Sequence, residues 1–294
     1  MNFNFRNYLE ANLEFINYSL IESIEKLSIP STLKASMLYS IKAGGKRIRP
    51  ILMIASAEAF GGKKEDVLPA AIALELVHTY SLIHDDLPAM DDDNLRRGQP
   101  TNHIEFGEAT AILAGDSLLT LAFQVISEAE NLTAEQKETI IKRLSMASGP
   151  TGMVAGQILD LEAEERQVNL SELEQIHRLK TGELLIFAVE IGAYLAGAAQ
   201  DQLKAIREFG HHIGLIFQIQ DDILDIEGDE QKLGKTVGSD QENKKSTYPK
   251  LLGIEGALQA KEANIKQAEA SLNQAQIANS TLHAFIDYIS NRES

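Results

Sequence analysis

PAAIALELVHTYSLIHDDLPAMDDDNLRR, residues 69–97, is the stretch on which the reading of this chain turns. Its first part is an apolar helical run that Pro69 opens. Pro88 cannot continue it, because proline lacks an N–H and its ring would crowd the carbonyl of His84. Asp85 and Asp86 therefore close a helix, and Asp91 returns from a loop. Asp92 and Asp93 add to the cluster, and Arg96 and Arg97 follow directly. A lone acidic cluster is ordinarily a solvated helix end.

This cluster has a counterpart. Asp221-Asp222-Ile223-Leu224-Asp225 ends a second long apolar run. Residues i, i+1 and i+4 of a helix fall within about a 100° arc, so Asp221, Asp222 and Asp225 share a face. Carboxylates this close raise one another's pKa unless cations neutralise them. Hard oxygen ligands in such number suit Mg²⁺, which keeps part of its water shell and bridges carboxylates to substrate phosphates. The expected ligand is a magnesium-bound diphosphate.

Outward from these clusters the pattern is helical. Leu9, Leu13, Ile16, Leu20, Ile24 and Leu27 recur at three- and four-residue steps, and Pro30 stops them. Leu33, Met37 and Ile41 mark a second helix closed by Gly44-Gly45, after which Pro50 restarts the chain. A long buried helix is expected over Ala109–Ile126, and capping boxes are read at Thr133/Gln136 and Ser171/Glu174. Further helices are expected over Leu184–Leu195, Leu203–Asp225 and Tyr248–Ile289, with a loop from Ile226 to Ser246. All seven prolines fit helix starts, breaks or loops, and no sustained β alternation occurs. The fold class is all-α: one helical bundle over 1–294 with a central cavity, the two clusters facing across its mouth.

The formal net charge of −16 argues against a nucleic-acid partner, which calls for a basic surface. Cysteine is absent, which excludes disulfides and thiolate chemistry and fits a cytoplasmic location. No leader pattern is visible, and no apolar run is read as reaching the ~18 residues of a membrane span.

With acid so abundant, the basic clusters stand out. Gly44-Gly45-Lys46-Arg47-Ile48-Arg49-Pro50 places three cations ahead of a helix N-terminus, where anions are favoured. His78 lies seven residues before Asp85, two turns away on the same face. Lys180-Thr181 interrupts an apolar run, Gln218 sits one turn before Asp221, and Lys235 and Lys245 lie in the expected loop.

Taken together, these residues resemble the trans-prenyl diphosphate synthases, most closely the bacterial members that make farnesyl diphosphate, over nearly the whole chain. Asp85, Asp86 and Asp91 match the family's first aspartate-rich motif in its longer-spaced form, and Asp221, Asp222 and Asp225 match the second. The resemblance implies an isoprenoid-synthase bundle, usually a homodimer, that condenses isopentenyl diphosphate with an allylic diphosphate (dimethylallyl or geranyl). It assigns Lys46, Arg49, His78 and Arg97 to isopentenyl diphosphate. It assigns Arg96, Lys180, Thr181, Gln218, Lys235 and Lys245 to the allylic diphosphate, whose departure Mg²⁺ on the six aspartates assists. Leu82, Phe187, Ile216 and Phe217 are candidate walls for a dry cavity. One helical turn, about 5.4 Å, is close to one isoprene unit. Tyr80 and Ser81, one turn before Asp85, are thus the expected floor that sets product length, the bulky Tyr80 favouring fifteen carbons.

Three other readings compete. A geranylgeranyl or longer-chain synthase shares the chemistry, since Ser81 is small. A di-iron carboxylate oxidase would use the Glu-x-x-His pairs Glu75/His78, Glu174/His177 and Glu208/His211. A non-catalytic regulatory subunit would carry degraded motifs, and here both are intact.

Overall fold

The protein was described from a computed structural model covering residues 4–164, 166–227 and 246–292. Among these residues everything regular is helical except one two-residue hairpin. The helices group into two compact units, Met1–Ile54 with Glu65–Ile141, and Ala55–Lys64 with Lys142–Ser294.

In the first unit, α1 (Phe5–Glu25) starts where the Asn4 side chain accepts the amide of Asn7. Its apolar stripe ends in Ile16, Leu20 and Ile24, all fully buried. Each such side chain contributes about 1.5–3 kcal/mol. Next come α2 (Ser31–Lys42), the first part of α3 (Ile48–Ala59) and α4 (Lys64–Asp85). Strands β1 (Leu95–Arg96) and β2 (Gln99–Pro100) pair antiparallel, with left-handed Arg97 (φ 55°) and Gly98 (φ 75°) at the tip, as a two-residue hairpin turn requires. Short α5 (Asn102–Phe106) and long α6 (Glu108–Glu128) follow, and α7 (Ala134–Ser148) begins here.

In the second unit α8 (Met153–Glu164) and α9 (Leu170–His177) lead into a π-helical turn, Arg178–Gly182, and then α10 (Glu183–Leu195). Helix α11 (Gln200–Glu227) packs along both α10 and α12 (Tyr248–Gln274), and α13 (Thr281–Ser290) closes the unit. The α10–α11 approach depends on Gly210, where a Cβ would stand 2.9 Å from the Ile186 Cα.

Several expectations need correction. Pro69 does not open its helix but sits inside α4, which begins at Lys64. The bond that proline cannot donate is replaced at the freed Glu65 carbonyl by the Asn131 side chain, at 3.2 Å. Pro50 likewise lies within α3 rather than at its first position. The second capping box is two residues earlier, at Asn169/Glu172, because Asn169 has the extended backbone that lets its side chain accept the Glu172 amide. The last helical stretch is two helices, with a kink at left-handed Gly253 inside α12. Two helices, Lys64–Asp85 and Glu108–Glu128, are in fact long and apolar enough to cross a membrane. Burial explains the apolarity of α4, whereas α6 exposes Ile112 (41%) and Leu113 (58%) and is not the buried helix expected.

Candidate active site

Asp85 is the last residue of α4, and the chain then folds back on itself. The Asp91 amide donates to the Asp85 carbonyl at 2.9 Å, and the Met90 amide to that of Leu87 at 2.8 Å. Asp86 is 3% exposed, and Arg96, presented by β1, donates to its Oδ1 from Nε at 2.7 Å and lies 2.5 Å away through Nη2. Burial pushes the Asp86 carboxyl upward, and the bonds from Arg96 oppose this. A cavity of about 30 Å³, large enough for a water molecule, is lined by Leu82, Asp86, Arg96 and Arg97 among others.

One turn before Asp85, Tyr80 is buried, with its ring edge-on to His84 at 5.7 Å. His84 in turn meets the Ile112 carbonyl at 3.1 Å. Ser81 turns its hydroxyl to the His78 carbonyl at 2.9 Å.

The basic loop is built on unusual backbone: Gly44 (φ 85°), Gly45 (φ 128°) and Arg47 (φ 49°) are all left-handed. Gly45 suits its φ of 128°, which side-chain-bearing residues rarely adopt, and the Arg97 guanidinium packs where its Cβ would stand, 2.6 Å from the guanidinium carbon. Arg97 thereby joins the loop that carries Lys46 and Arg49. Arg49 Nη1 donates to His78 Nε2 at 3.3 Å, which places the ring proton on Nδ1. Burial first, then Arg49 and Arg97, hold His78 well below its ordinary pKa, so it is neutral. Arg49, His78 and Arg97 thus gather at one loop, an arrangement suited to an anion.

In the second unit α11 carries the other motif. Asp222 and Asp225 are buried while Asp221 is partly exposed. Asp221 pairs with Arg292 at 2.6 Å, and that guanidinium lies 3.8 Å over the Phe217 ring. The Tyr248 amide donates to Asp222 Oδ2 at 2.8 Å. Thr181 donates to Gln218 Oε1 at 2.8 Å, and Lys180 bonds Asp160 at 2.6 Å. Both Lys180 and Thr181 stand in the π-helical turn, whose extra residue re-aims side chains on one face. Gly156 lets α8 pass beneath it: a Cβ there would be 2.2 Å from the Lys180 nitrogen. Lys235 and Lys245 lie outside the described residues. Ile216 is fully buried. Phe187 is buried, and a pocket of about 170 Å³ beside it is also lined by Arg143 and Glu183.

The family model for polyprenyl synthetases matches residues 30–289. The chain belongs to the polyprenyl synthetase family. It is similar to a farnesyl diphosphate synthase of Bacillus subtilis, 49% identical over 98% of each chain. It is also similar to a geranylgeranyl diphosphate synthase of Cyanophora paradoxa, 44% identical over 100% of this chain and 98% of that one. Among solved structures, an FPP/GFPP synthase from Zymomonas mobilis superposes with a TM-score of 0.86 at 36% identity, over 98% of this chain and 99% of that one. As a polyprenyl synthetase, the protein is a prenyltransferase.

The polyprenyl synthetase assignment agrees with what the structure does to the di-iron reading. Glu75 is not available as a ligand, because it accepts from Arg47 Nη1 at 2.7 Å with both side chains buried. Arg47 also donates to Asn17 and to the Ile41 carbonyl. Glu174 accepts from the Tyr248 hydroxyl at 3.3 Å. Among the described residues no three His, Asp or Glu side chains group closely enough to hold an ion by themselves.

Sequence reasoning missed Asp160; it read Arg47 only as one of three loop cations, His177 only as a di-iron candidate and Tyr248 only as a helix start, and it left the role of Arg292 open. Arg47 looks like its neighbours Lys46 and Arg49 until its left-handed backbone turns it inward. Asp160 and Tyr248 meet their partners only through the packing of α8 and α12, which no periodicity signals.

Proposed function

We propose that this protein is a farnesyl diphosphate synthase, adding isopentenyl diphosphate to dimethylallyl and then geranyl diphosphate as a Mg²⁺-dependent, cytoplasmic homodimer. The observation that carries this is the pair of acidic motifs, each with an arginine already bonded to a motif carboxylate: Arg96 to Asp86 and Arg292 to Asp221. The whole chain, 1–294, acts as one catalytic domain in this reading. The carboxylates of Asp85, Asp86, Asp91, Asp221, Asp222 and Asp225 fit a hard divalent cation by donor type. Buried Asp86 favours one further, because a cation offsets the burial that disfavours its charge. When bound, Mg²⁺ supplies charge neutralisation to the leaving diphosphate.

The residues do the rest. Arg96, Lys180, Thr181 and Gln218 bind the allylic diphosphate, Arg96 and Lys180 leaving Asp86 and Asp160 to do so; Lys235 and Lys245 are assigned here by resemblance. As the allylic C–O bond breaks, its electron pair stays with the diphosphate and these donors stabilise the growing negative charge. Lys46, Arg49, neutral His78 and Arg97 hold isopentenyl diphosphate, whose double bond attacks the allylic cation. A proton is then lost to the departed diphosphate. Tyr80 stands as the floor of the product cavity, one turn before Asp85. The half-exposed apolar face of α6 supports the homodimer.

The deciding experiment is incubation with Mg²⁺, isopentenyl diphosphate and each allylic starter, followed by product-length analysis. Fifteen-carbon product is expected. Predominant twenty-carbon product would favour the geranylgeranyl reading, which small Ser81 and the 44% identical relative support. No condensation at all would overturn both.

A further inference from the structure

We propose that His177 is a positioning residue for the second acidic motif, its Nε2–H closing on Asp222 to fix the carboxylate for a divalent cation. This rests on the reading of Asp222 as a metal ligand. His177 ends α9 just before the π-helical turn, and its side chain is 11% exposed. Nε2 itself is buried and has no hydrogen-bond partner among the described residues. The oxygen it faces is Asp222 Oδ2 at 3.9 Å, about 1 Å beyond bonding distance.

The ring is not free to look elsewhere. It stacks on Tyr248 at 5.9 Å with the planes 14° apart, and the backbone of that same tyrosine donates to Asp222 Oδ2 at 2.8 Å. Tyr248 is fully buried in a cluster with Leu173, Ile176, Ile219 and Ile223. One rigid unit therefore carries a made bond to Asp222 and an unmade one beside it. A small rotation of the carboxylate toward a cation closes the second bond. With Oδ2 held by two donors, the carboxylate is fixed in orientation, the outer-shell arrangement that tunes ligating groups.

The test compares His177→Phe, which keeps a stacking ring and removes the donor, with His177→Gln, which restores an N–H. The probe is Mn²⁺ with inorganic pyrophosphate, bound metal being counted by electron paramagnetic resonance, alongside steady-state kinetics. Phe is expected to weaken Mn²⁺ binding about tenfold or more and lower kcat at unchanged KM for isopentenyl diphosphate, with Gln regaining most of both. Phe binding Mn²⁺ as tightly as the parent, or Gln as weakly as Phe, overturns the proposal. Should Phe fail to fold, His177→Met removes the donor with an adaptable side chain and carries the same two outcomes. Asp222→Ala binding the parent's full complement of Mn²⁺ would instead sink the ligand reading beneath it.

Discussion

Replacing Glu75 with Gln leaves the Arg47 guanidinium buried without its counter-ion, in a place where both side chains are almost wholly hidden (1% and 3% exposed). Removing one partner of a buried pair costs about 3–5 kcal/mol. The lower end is expected here, because Arg47 keeps its bonds to Asn17 and the Ile41 carbonyl. At roughly 2–4 °C per kcal/mol, the melting temperature should fall by about 6–12 °C in calorimetry. Arg47→Met combined with Glu75→Met removes both charges and should recover most of the loss, to within about 1 kcal/mol of the parent. The double variant should nevertheless show a raised KM for isopentenyl diphosphate, because the loop holding Lys46 and Arg49 has lost the side chain that anchors it. A Glu75→Gln protein that melts with the parent, or a double variant no better than the single, would refute this account.

Tyr80→Ala should shift the product toward twenty carbons, read by chromatography of the dephosphorylated alcohols; unchanged fifteen-carbon output removes Tyr80 from the floor. Gly156→Ala places a Cβ within van der Waals overlap of the Lys180 backbone, so kcat should drop at least tenfold while far-ultraviolet circular dichroism stays helical. Arg292→Ala loses a carboxylate pair and a ring contact, and should lower stability by about 1–3 kcal/mol, measured in urea. His78 is held neutral in the fold by burial and by Arg49, while in the unfolded chain it titrates near 6.5. Below that pH the unfolded state binds the extra proton, so stability falls as pH drops from about 6.5 toward the depressed folded value. His78→Gln should flatten that fall; an identical pH profile would exclude the contribution.

Helix class and the two acidic motifs were legible because periodicity and proline placement are local signals. Asp85 closes its helix and Asp91 folds back on it, as Pro88 dictates. Pro69 misled for the opposite reason: its lost hydrogen bond is replaced by Asn131, far along the chain, and no local rule anticipates that. The π-helical turn at Lys180-Thr181 registered only as polar residues interrupting an apolar run. Arg47 and Arg49 are chemically alike and two residues apart, yet one is a buried anchor and the other faces His78. Only backbone conformation separates them. The exposed face of α6 reads as core by composition, because composition cannot say which neighbour covers a helix.

Arg96 and Arg292 confer a practical independence. Since each acid it touches already has a resident cation, the fold does not wait on the ionic supply of its surroundings to take shape. On the magnesium-dependent reading proposed above, a chelator should silence the protein and leave it folded, its melting temperature falling only by what the bound ion contributed, and replenishing the ion should restore turnover. On that same reading, chains made without magnesium would be folded and idle, ready for the metal when it is supplied.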